Sequence, residues 1–334
     1  MTIPVIQWHA AAWQQLQASR RQQRLPHALL LSGESGIGKA AFAAEVAASL
    51  LCEQPVADGR ACGSCQACQR VAAETHPDRF QLAPEEPGKP IKVDAIRRLI
   101  QDLSLTGHYG RYRVVLVEPA DVMNTNAANA FLKTLEEPPA DTLLILITTA
   151  PARLPATIRS RCQPLRLKTP DSAAAGAWLS REFSDSSPAE IEPALRLAGG
   201  APLLAARYLR EGWLAERRHL LEALVNCATG HTSPLEAAGV ATRQLKLDRQ
   251  LPIYWMYYWV ADFIRLAYDD NNIKNNDMTS DLQKLPKPVE PKALHHLLGK
   301  LQQARRLTES TVNPQLLWED LMIDWSRLFA GPRG

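Results

Sequence analysis

The segment that most constrains the fold is a glycine-rich loop between a short, mostly apolar run and a helical stretch. Residues 33–39 read Gly-Glu-Ser-Gly-Ile-Gly-Lys and fit the pattern G-x-x-x-x-G-K. Residues 27–31 before the loop are typical of a strand buried on both faces, and the alanine-rich residues 39–51 after it are predicted to be helical. In this order, backbone N–H groups and the helix N-terminus bind phosphate while the lysine reaches the terminal phosphates.

The candidate phosphate-binding residues are therefore Gly33, Gly36, Gly38 and Lys39. Two positions that an active ATPase needs are altered. Ala40 stands where such loops carry Ser or Thr, and a methyl group cannot bind Mg²⁺. Glu118-Pro119 stands where an active enzyme has Asp for Mg²⁺ and often Glu to activate water. We interpret the segment as a vestigial phosphate loop without turnover. Asp121 is the alternative acidic group, and the sequence leaves nucleotide binding open.

Composition excludes several classes of protein. The 334 residues are 46% hydrophobic and 22% charged, which is ordinary for a globular chain and allows two or three domains. The 38 basic and 35 acidic residues leave a net charge of +3, too small for a protein that coats nucleic acid. The longest apolar run, residues 253–261, is much shorter than the ~20 residues of a membrane-spanning helix. The first residues lack a secretory signal, so we expect a cytoplasmic protein without a membrane partner.

Buried apolar runs alternate with helical segments in the first half of the chain. Residues 27–31, 114–117 and 143–147 are predicted to be strands of one parallel sheet covered on both faces. After residue 167 the strand signals vanish. The predicted fold class is α/β plus all-α, with a phosphate-loop domain at 1–167, a small three-helix domain at 168–209 and a larger helical domain at 210–334.

The larger helical domain carries two further patterns. Trp255, Tyr258, Trp259 and Phe263 recur at helical spacing, which favours a buried core and leaves a partner interface as the alternative. Residues 269–279 are strongly polar and are predicted to form an exposed loop.

Four cysteines lie close together in the first domain. They follow the pattern Cys52-x9-Cys62-x2-Cys65-x2-Cys68. In a reducing compartment such clustering indicates a metal rather than disulfides, and four thiolates match the tetrahedral coordination of Zn²⁺. Because four thiolates fill the coordination shell, we predict a structural zinc module at about residues 52–68. An iron–sulfur cluster is the alternative with the same ligands. Cys162 and Cys227 are expected to be ordinary buried thiols.

Two arginines follow the third predicted strand, Arg153 in Pro-Ala-Arg-Leu-Pro and Arg161 in Ser-Arg-Cys. A cation at the edge of a domain can reach a phosphate on a neighbouring subunit, where arginine stabilises the charge of phosphoryl transfer. Spacing alone nevertheless favours an ordinary surface ion pair.

Longer motifs make the chain similar to a known family. The most specific are Asn-Ala-Phe-Leu-Lys-Thr-Leu-Glu-Glu-Pro-Pro at 129–139 and Ser-Arg-Cys at 160–162. Thr-His-Pro-Asp at 75–78, residues 91–97, residues 313–320 and the four-cysteine insert add to them. On these motifs, which span nearly the whole chain, it resembles the clamp-loader subunits of bacterial DNA polymerase III, a branch of the AAA+ proteins.

The resemblance implies an AAA+ domain with the cysteine insert, a small lid domain and a helical collar that holds the subunit in a five-subunit ring. The implied partners are the motor subunits (gamma/tau) and the delta subunit, with the sliding clamp and primer–template DNA reached through the complex. Arg161 would be the arginine finger that completes the ATP site of the neighbouring motor subunit. The assembly belongs to a DNA-directed DNA polymerase, a nucleotidyltransferase, but no ATPase of this chain itself is expected.

The departures from the family's ATP-binding subunits are informative. Those subunits carry an Asp-Glu pair where this chain has Glu118-Pro119, and a nucleotide-sensing arginine where it has Leu203. Thr148 or Thr149 keeps the polar position of the other sensor. In all of these departures the chain resembles a non-hydrolysing, stator-like subunit of the family.

Three hypotheses therefore compete. A catalytically silent clamp-loader subunit is favoured by the altered loop. A self-sufficient P-loop ATPase is motivated by the intact residues 33–39. A zinc-dependent DNA-binding module is the third, although Arg60 and Arg70 are the only cations near the cysteines.

Overall fold

A computed structural model describes residues 7–86, 88–104, 112–244, 250–268, 273–286, 289–308 and 312–330. The chain divides into two compact units. The first contains residues 1–175 and 201–204, and the second contains residues 176–200 and 205–334. The boundaries predicted for three domains stay a prediction.

Strands alternate with helices in the first half of the chain, and the second half is helical. The helices are α1 (Ala10–Arg21), α2 (Lys39–Leu51), α3 (Gln66–Ala72), α4 (Val93–Ser104), α5 (Thr125–Glu136), α6 (Ala156–Arg159), α7 (Ser172–Glu182), α8 (Pro188–Leu197), α9 (Pro202–Arg210), α10 (Trp213–Ala228), α11 (Pro234–Gln244), α12 (Leu251–Ala267), α13 (Thr279–Leu282), α14 (Pro291–Leu307) and α15 (Pro314–Arg327). The strands are β1 (Ala28–Ser32), β2 (Arg79–Leu82), β3 (Arg113–Val117), β4 (Thr142–Thr148) and β5 (Gln163–Arg166).

Within the described ranges, five strands form one parallel sheet in the order β2-β3-β4-β1-β5. Strand β4 lies at the centre and pairs with β1 through Leu30 and Leu146, and with β3 through Val115 and Leu144. The predicted α/β class is confirmed. The two outer strands, β2 and β5, were not predicted because their sequences mix polar and apolar residues, and β5 contains Pro164, which only an edge strand tolerates.

The core of the first unit explains why the inner strands are almost entirely apolar. Every residue of β4 is buried, and its side chains alternate between the two helical layers. On one face Leu144 and Leu146 belong to a cluster with Phe131 of α5 and Ile96 of α4. Parallel strands covered on both faces need apolar residues at every position, which is the pattern in the sequence.

The second unit is helical and has its own aromatic core. In it α11 packs against α15, and α12 packs against α14. Trp213, Trp255, Trp259, Trp318 and Trp325 are all fully buried. Phe263 is buried with them, and Tyr258 is half-buried, so the aromatic spacing in α12 is core, as favoured from the sequence.

The polar segment at 269–279 differs from its prediction. Residues 269–272 lie outside the described part of the chain. In the remainder, Asn276 and Asp277 are exposed, but Asn275 is 1% exposed and Met278 is 2% exposed, so the predicted exposed loop is wrong for these two residues. The reason is a buried carboxylate, Asp262, which accepts hydrogen bonds from the backbone N–H groups of Lys274 and Asn275 at 3.1 and 2.8 Å. In the described residues, no helix combines the length and hydropathy that membrane crossing demands.

Candidate functional site

The glycine-rich loop leaves the carboxyl end of β1 and enters α2 directly at Lys39. Gly36 and Gly38 have φ values of 76° and 95°, a left-handed region that L side chains rarely adopt. Gly38 also forms the N-cap of α2. The loop thus has left-handed glycines immediately before a helix, and phosphate binding by Gly33, Gly36, Gly38 and Lys39 stays a prediction.

Lys39 is 7% exposed and binds its own loop. Its Nζ donates to the carbonyl oxygens of Gly33 at 3.0 Å and Glu34 at 2.7 Å. Burial lowers the pKa of Lys39, and the neighbouring carboxylates of Glu118, Glu34 and Asp121 oppose that shift. The ammonium group that would contact a terminal phosphate is therefore already hydrogen-bonded to protein oxygens.

The loop is also contacted by two other segments of the first unit. Leu203 donates its backbone N–H to the carbonyl of Gly36 at 2.9 Å. A Cβ placed on Gly36 would lie 2.4 Å from Cβ of Leu204, so only glycine fits there. Trp8 Nε1 and His9 Nε2 lie 2.9 and 2.8 Å from the carbonyl of Ile37. The contacts of Trp8 and His9 were missed because nothing in the sequence connects them with the loop, whereas the resemblance had already placed Leu203 at a nucleotide-sensing position.

The ends of β3 and β4 bring acidic and hydroxyl groups to the same edge of the sheet. Burial raises the pKa of Glu118, and the positive charge of Lys39 opposes the shift. Thr148 donates its hydroxyl to Oδ1 of Asp121 at 2.5 Å and accepts the N–H of Ala150 at 2.9 Å. Asp121 thus lies near Lys39, but its carboxylate is bound to Thr148. Ala40 follows Lys39 in α2 and offers no oxygen to a metal.

Arg161 lies in the turn between α6 and β5, at the surface of the first unit. Its side chain is 36% exposed. Nη2 forms an ion pair with Oε1 of Glu136 at 2.6 Å, and Nη1 donates to the carbonyl of Thr157 at 2.9 Å. The predicted candidate is therefore an accessible, hydrogen-bonded cation. The sequence did not identify Glu136 as its partner, although Glu136 lies within the specific motif at 129–139.

The four clustered cysteines converge on one point. The sulfur atoms of Cys52, Cys62, Cys65 and Cys68 all lie within 4.8 Å of one another. The Cys52–Cys65 and Cys62–Cys68 pairs are each 3.9 Å apart. A tetrahedral site with metal–sulfur bonds of about 2.3 Å places its sulfurs about 3.8 Å apart, so the geometry matches a metal site with four cysteine ligands.

Backbone hydrogen bonds and burial act in opposite directions on the thiols of this cluster. The N–H groups of Cys62, Cys65 and Cys68 point at the sulfurs of Cys52, Cys62 and Cys65, respectively, at 3.3–3.4 Å. Hydrogen bonds from the backbone of Ser64 and Cys65 lower the pKa of Cys62 to about 6. Burial raises the pKa of Cys52 and, more strongly, that of Cys68. The site can bind a metal through four sulfurs. Cys162 and Cys227 are buried outside the cluster, as expected.

Comparison with known proteins decides the family. A family model described as DNA polymerase III, delta subunit, matches residues 8–171, and a second, described as its C terminal part, matches residues 211–327. DNA polymerase III subunit delta' of Pseudomonas aeruginosa is 40% identical over 325 residues, covering 96% of this chain and 97% of that protein. The chain belongs to the DNA polymerase III subunit delta' family. Subunit delta' of Escherichia coli is 34% identical over 322 residues, covering 95% of this chain and 93% of the relative.

Membership in the delta' family confirms the resemblance seen in the motifs and supports a role in DNA replication. The architecture is the predicted α/β plus all-α class, a parallel sheet followed by a helical region. DNA polymerase III subunit tau of Salmonella typhimurium is a partial relative. It is 35% identical over 148 residues, which cover 44% of this chain and 22% of that protein. The chain is thus similar to one part of a second DNA polymerase III subunit.

Proposed function

We propose that this chain is the non-hydrolysing subunit of a clamp loader and that it supplies Arg161 in trans to the ATP site of a neighbouring motor subunit. The observation that carries the first half is the state of the phosphate loop. Lys39 is bound to two loop carbonyls, Gly36 contacts Leu203 and Leu204, and Ala40 replaces the metal-binding hydroxyl. Without Mg²⁺ the charge that develops during phosphoryl transfer is not neutralised.

The second half rests on Arg161. It is exposed, it lies in the Ser-Arg-Cys motif, and its planar guanidinium suits phosphate oxygens better than lysine does. The partners in this proposal are tau or gamma motor subunits and the delta subunit in a five-subunit ring, which loads the sliding clamp on primed DNA. The relatives' names support an assembly of DNA polymerase III subunits.

We also propose that Cys52, Cys62, Cys65 and Cys68 hold one structural Zn²⁺. The four sulfurs are within 4.8 Å of one another. Four sulfur ligands would fill the tetrahedral shell of the metal and leave no open coordination position for a substrate. The metal would then stabilise the segment between α2 and α3 and take no part in the reaction.

The test is ATP hydrolysis by the purified chain and by the complex reconstituted with its tau or gamma and delta subunits. We expect no turnover by the chain alone with Mg²⁺ and primed DNA. In the complex, Arg161→Ala should slow hydrolysis at the adjacent site about 10³-fold, because it removes a cation that stabilises the transition state. The total ATPase rate of the complex should fall by the fraction that this one site contributes. Arg161→Lys should lower the rate nearly as much, because lysine lacks the planar set of donors of arginine.

The control is Arg21→Ala, which removes an exposed arginine of α1 in the same unit. It should leave the ATPase of the complex unchanged, and all variants should assemble. Turnover by the isolated chain that disappears in Lys39→Ala would instead establish a self-sufficient ATPase. Full activity of the Arg161→Ala complex would refute the arginine finger.

A further inference from the structure

The guanidinium of Arg161 is held on its own domain by two different groups. Nη2 contacts Oε1 of Glu136 at 2.6 Å, and Nη1 donates to the carbonyl of Thr157 at 2.9 Å. Arginine has five N–H donors, so these two contacts leave most of its donors available. The side chain is also 36% exposed. An arginine held in this way is oriented and still accessible to a phosphate.

The two elements that carry this pair are packed into one core. Glu136 is the last residue of α5, and the preceding residue, Leu135, is 1% exposed. Ile158 of α6 and Cys162, which flank Arg161, are buried in the same cluster as Leu135. Because close-packed cores deform little, the separation of the Glu136 and Arg161 backbones is set by the fold.

Glu136 pairs with Arg161, which stands in a stretch of the chain rich in positive charge. Residues 142–170 contain Arg153, Arg159, Arg161, Arg166 and Lys168 and no acidic residue. Glu136 also stands in the last turn of α5, where the helix dipole disfavours a carboxylate. The positive charge of the Arg161 guanidinium offsets this unfavourable interaction of the Glu136 carboxylate with the helix dipole.

We propose that Glu136 is a positioning residue for Arg161. With the carbonyl of Thr157, it fixes the guanidinium before the neighbouring subunit's nucleotide arrives, so that the rotamer freedom of a long side chain is not lost during the reaction. The inference rests on the proposed function of Arg161 and adds the group that orients it. Glu136 itself does not contact the nucleotide.

The experiment measures kcat and KM for ATP in the reconstituted complex containing Glu136→Ala, Glu136→Gln or the matched control Glu137→Ala. Glu137 is the adjacent exposed carboxylate. We expect Glu136→Ala to lower kcat of the adjacent site about three- to fivefold with KM unchanged, because an exposed ion pair contributes little more than that factor. Glu136→Gln keeps an acceptor oxygen for Nη2 and should restore most of the rate. Glu137→Ala should match the native complex.

A double-mutant cycle separates positioning from a general structural effect. In the Arg161→Ala background, Glu136→Ala should cause no further loss, because the residue acts only through Arg161. The inference is overturned if Glu136→Ala equals Glu137→Ala, raises the rate, or lowers it equally in both backgrounds. If Arg161→Ala itself leaves the complex fully active, the proposed function fails instead, so the two failures are distinguishable.

Discussion

At the residue scale, Lys39 of the glycine-rich loop is buried and hydrogen-bonded to its own loop. The ammonium group donates to Gly33 and Glu34, and the carboxylates of Glu118 and Asp121 lie near enough to raise its pKa against the effect of burial. In a nucleotide-binding loop that charge faces the phosphates. In this structure the same ammonium group donates to two loop carbonyls.

Glu118 provides a test of this local electrostatic balance. Burial raises its pKa above the ordinary value of 4.5, so the folded chain holds this proton at a pH where the unfolded chain has lost it. Ionisation of Glu118 therefore opposes folding, and its unfavourable contribution develops as pH rises above 4.5. We expect Glu118→Gln to be as stable as the native chain at pH 4 and more stable at pH 7.

Urea denaturation of both proteins across pH 4–8 measures this difference directly. Glu137→Gln is the control, because Glu137 is exposed and its charge should not change stability. A Glu118→Gln variant that is less stable at pH 7 than at pH 4, relative to the native chain, would show that attraction to Lys39 outweighs burial.

At the scale of elements, the loop between α2 and α3 is attached to the helices around it. Arg60 forms an ion pair with the buried Glu45 of α2 at 3.0 Å, and its guanidinium lies over the ring of Trp13 of α1. Trp13 donates its indole N–H to the carbonyl of Asp58 at 3.1 Å. Burial raises the pKa of Glu45, and Arg60 opposes that shift. The cysteine cluster therefore belongs to a loop that contacts α1 and α2.

Removing the metal should destabilise the first unit. We expect purified protein to contain one zinc per chain by elemental analysis. Chelation or Cys65→Ser should lower the melting temperature by roughly 5–10 °C, because the loop carrying Arg60 is released.

Cys227→Ala is the matched control for the metal prediction, since Cys227 is a buried thiol outside the cluster. It should keep its zinc. A brown colour and bound iron would indicate an iron–sulfur cluster instead of zinc. Protein that contains no metal and is equally stable would refute the metal site.

At the scale of the whole molecule, each compact unit has its own interior. The interior of the second unit includes a network of charged side chains. Arg217 is 1% exposed and donates to Asp277 at 2.7 Å and to Asn275 at 2.6 Å. Asp262 is fully buried and accepts from Asn275 and from Arg265. Residues distant in sequence are thus joined around α10 and α12.

Breaking this network should be costly. Asp262→Ala removes one carboxylate and leaves several buried donors without a partner, so we expect a loss of about 3–5 kcal/mol in the free energy of unfolding. Asp281→Ala removes an exposed ion pair with Lys284 and should cost less than about 1 kcal/mol. Calorimetry measures both, and equal losses would contradict a structural role for the buried network.

Much of the first unit was accessible from sequence because its signals are local. Three apolar runs identified β1, β3 and β4. The outer strands β2 and β5 have mixed polarity because an edge is only partly covered, so periodicity did not reveal them. The polar segment around Asn275 was misread because a buried carboxylate elsewhere in the chain satisfies its N–H groups.

The sequence by itself determined the three inner strands, the loop at 33–39, the close spacing of four cysteines and the motif around Arg161, because each depends on residues near one another in the chain. Only the tertiary structure decided which groups meet them. The contacts of Lys39 with loop carbonyls, of Gly36 with Leu203 and of Arg161 with Glu136 all depend on folded backbone positions. The last two join residues far apart in sequence, whose distance no local pattern specifies.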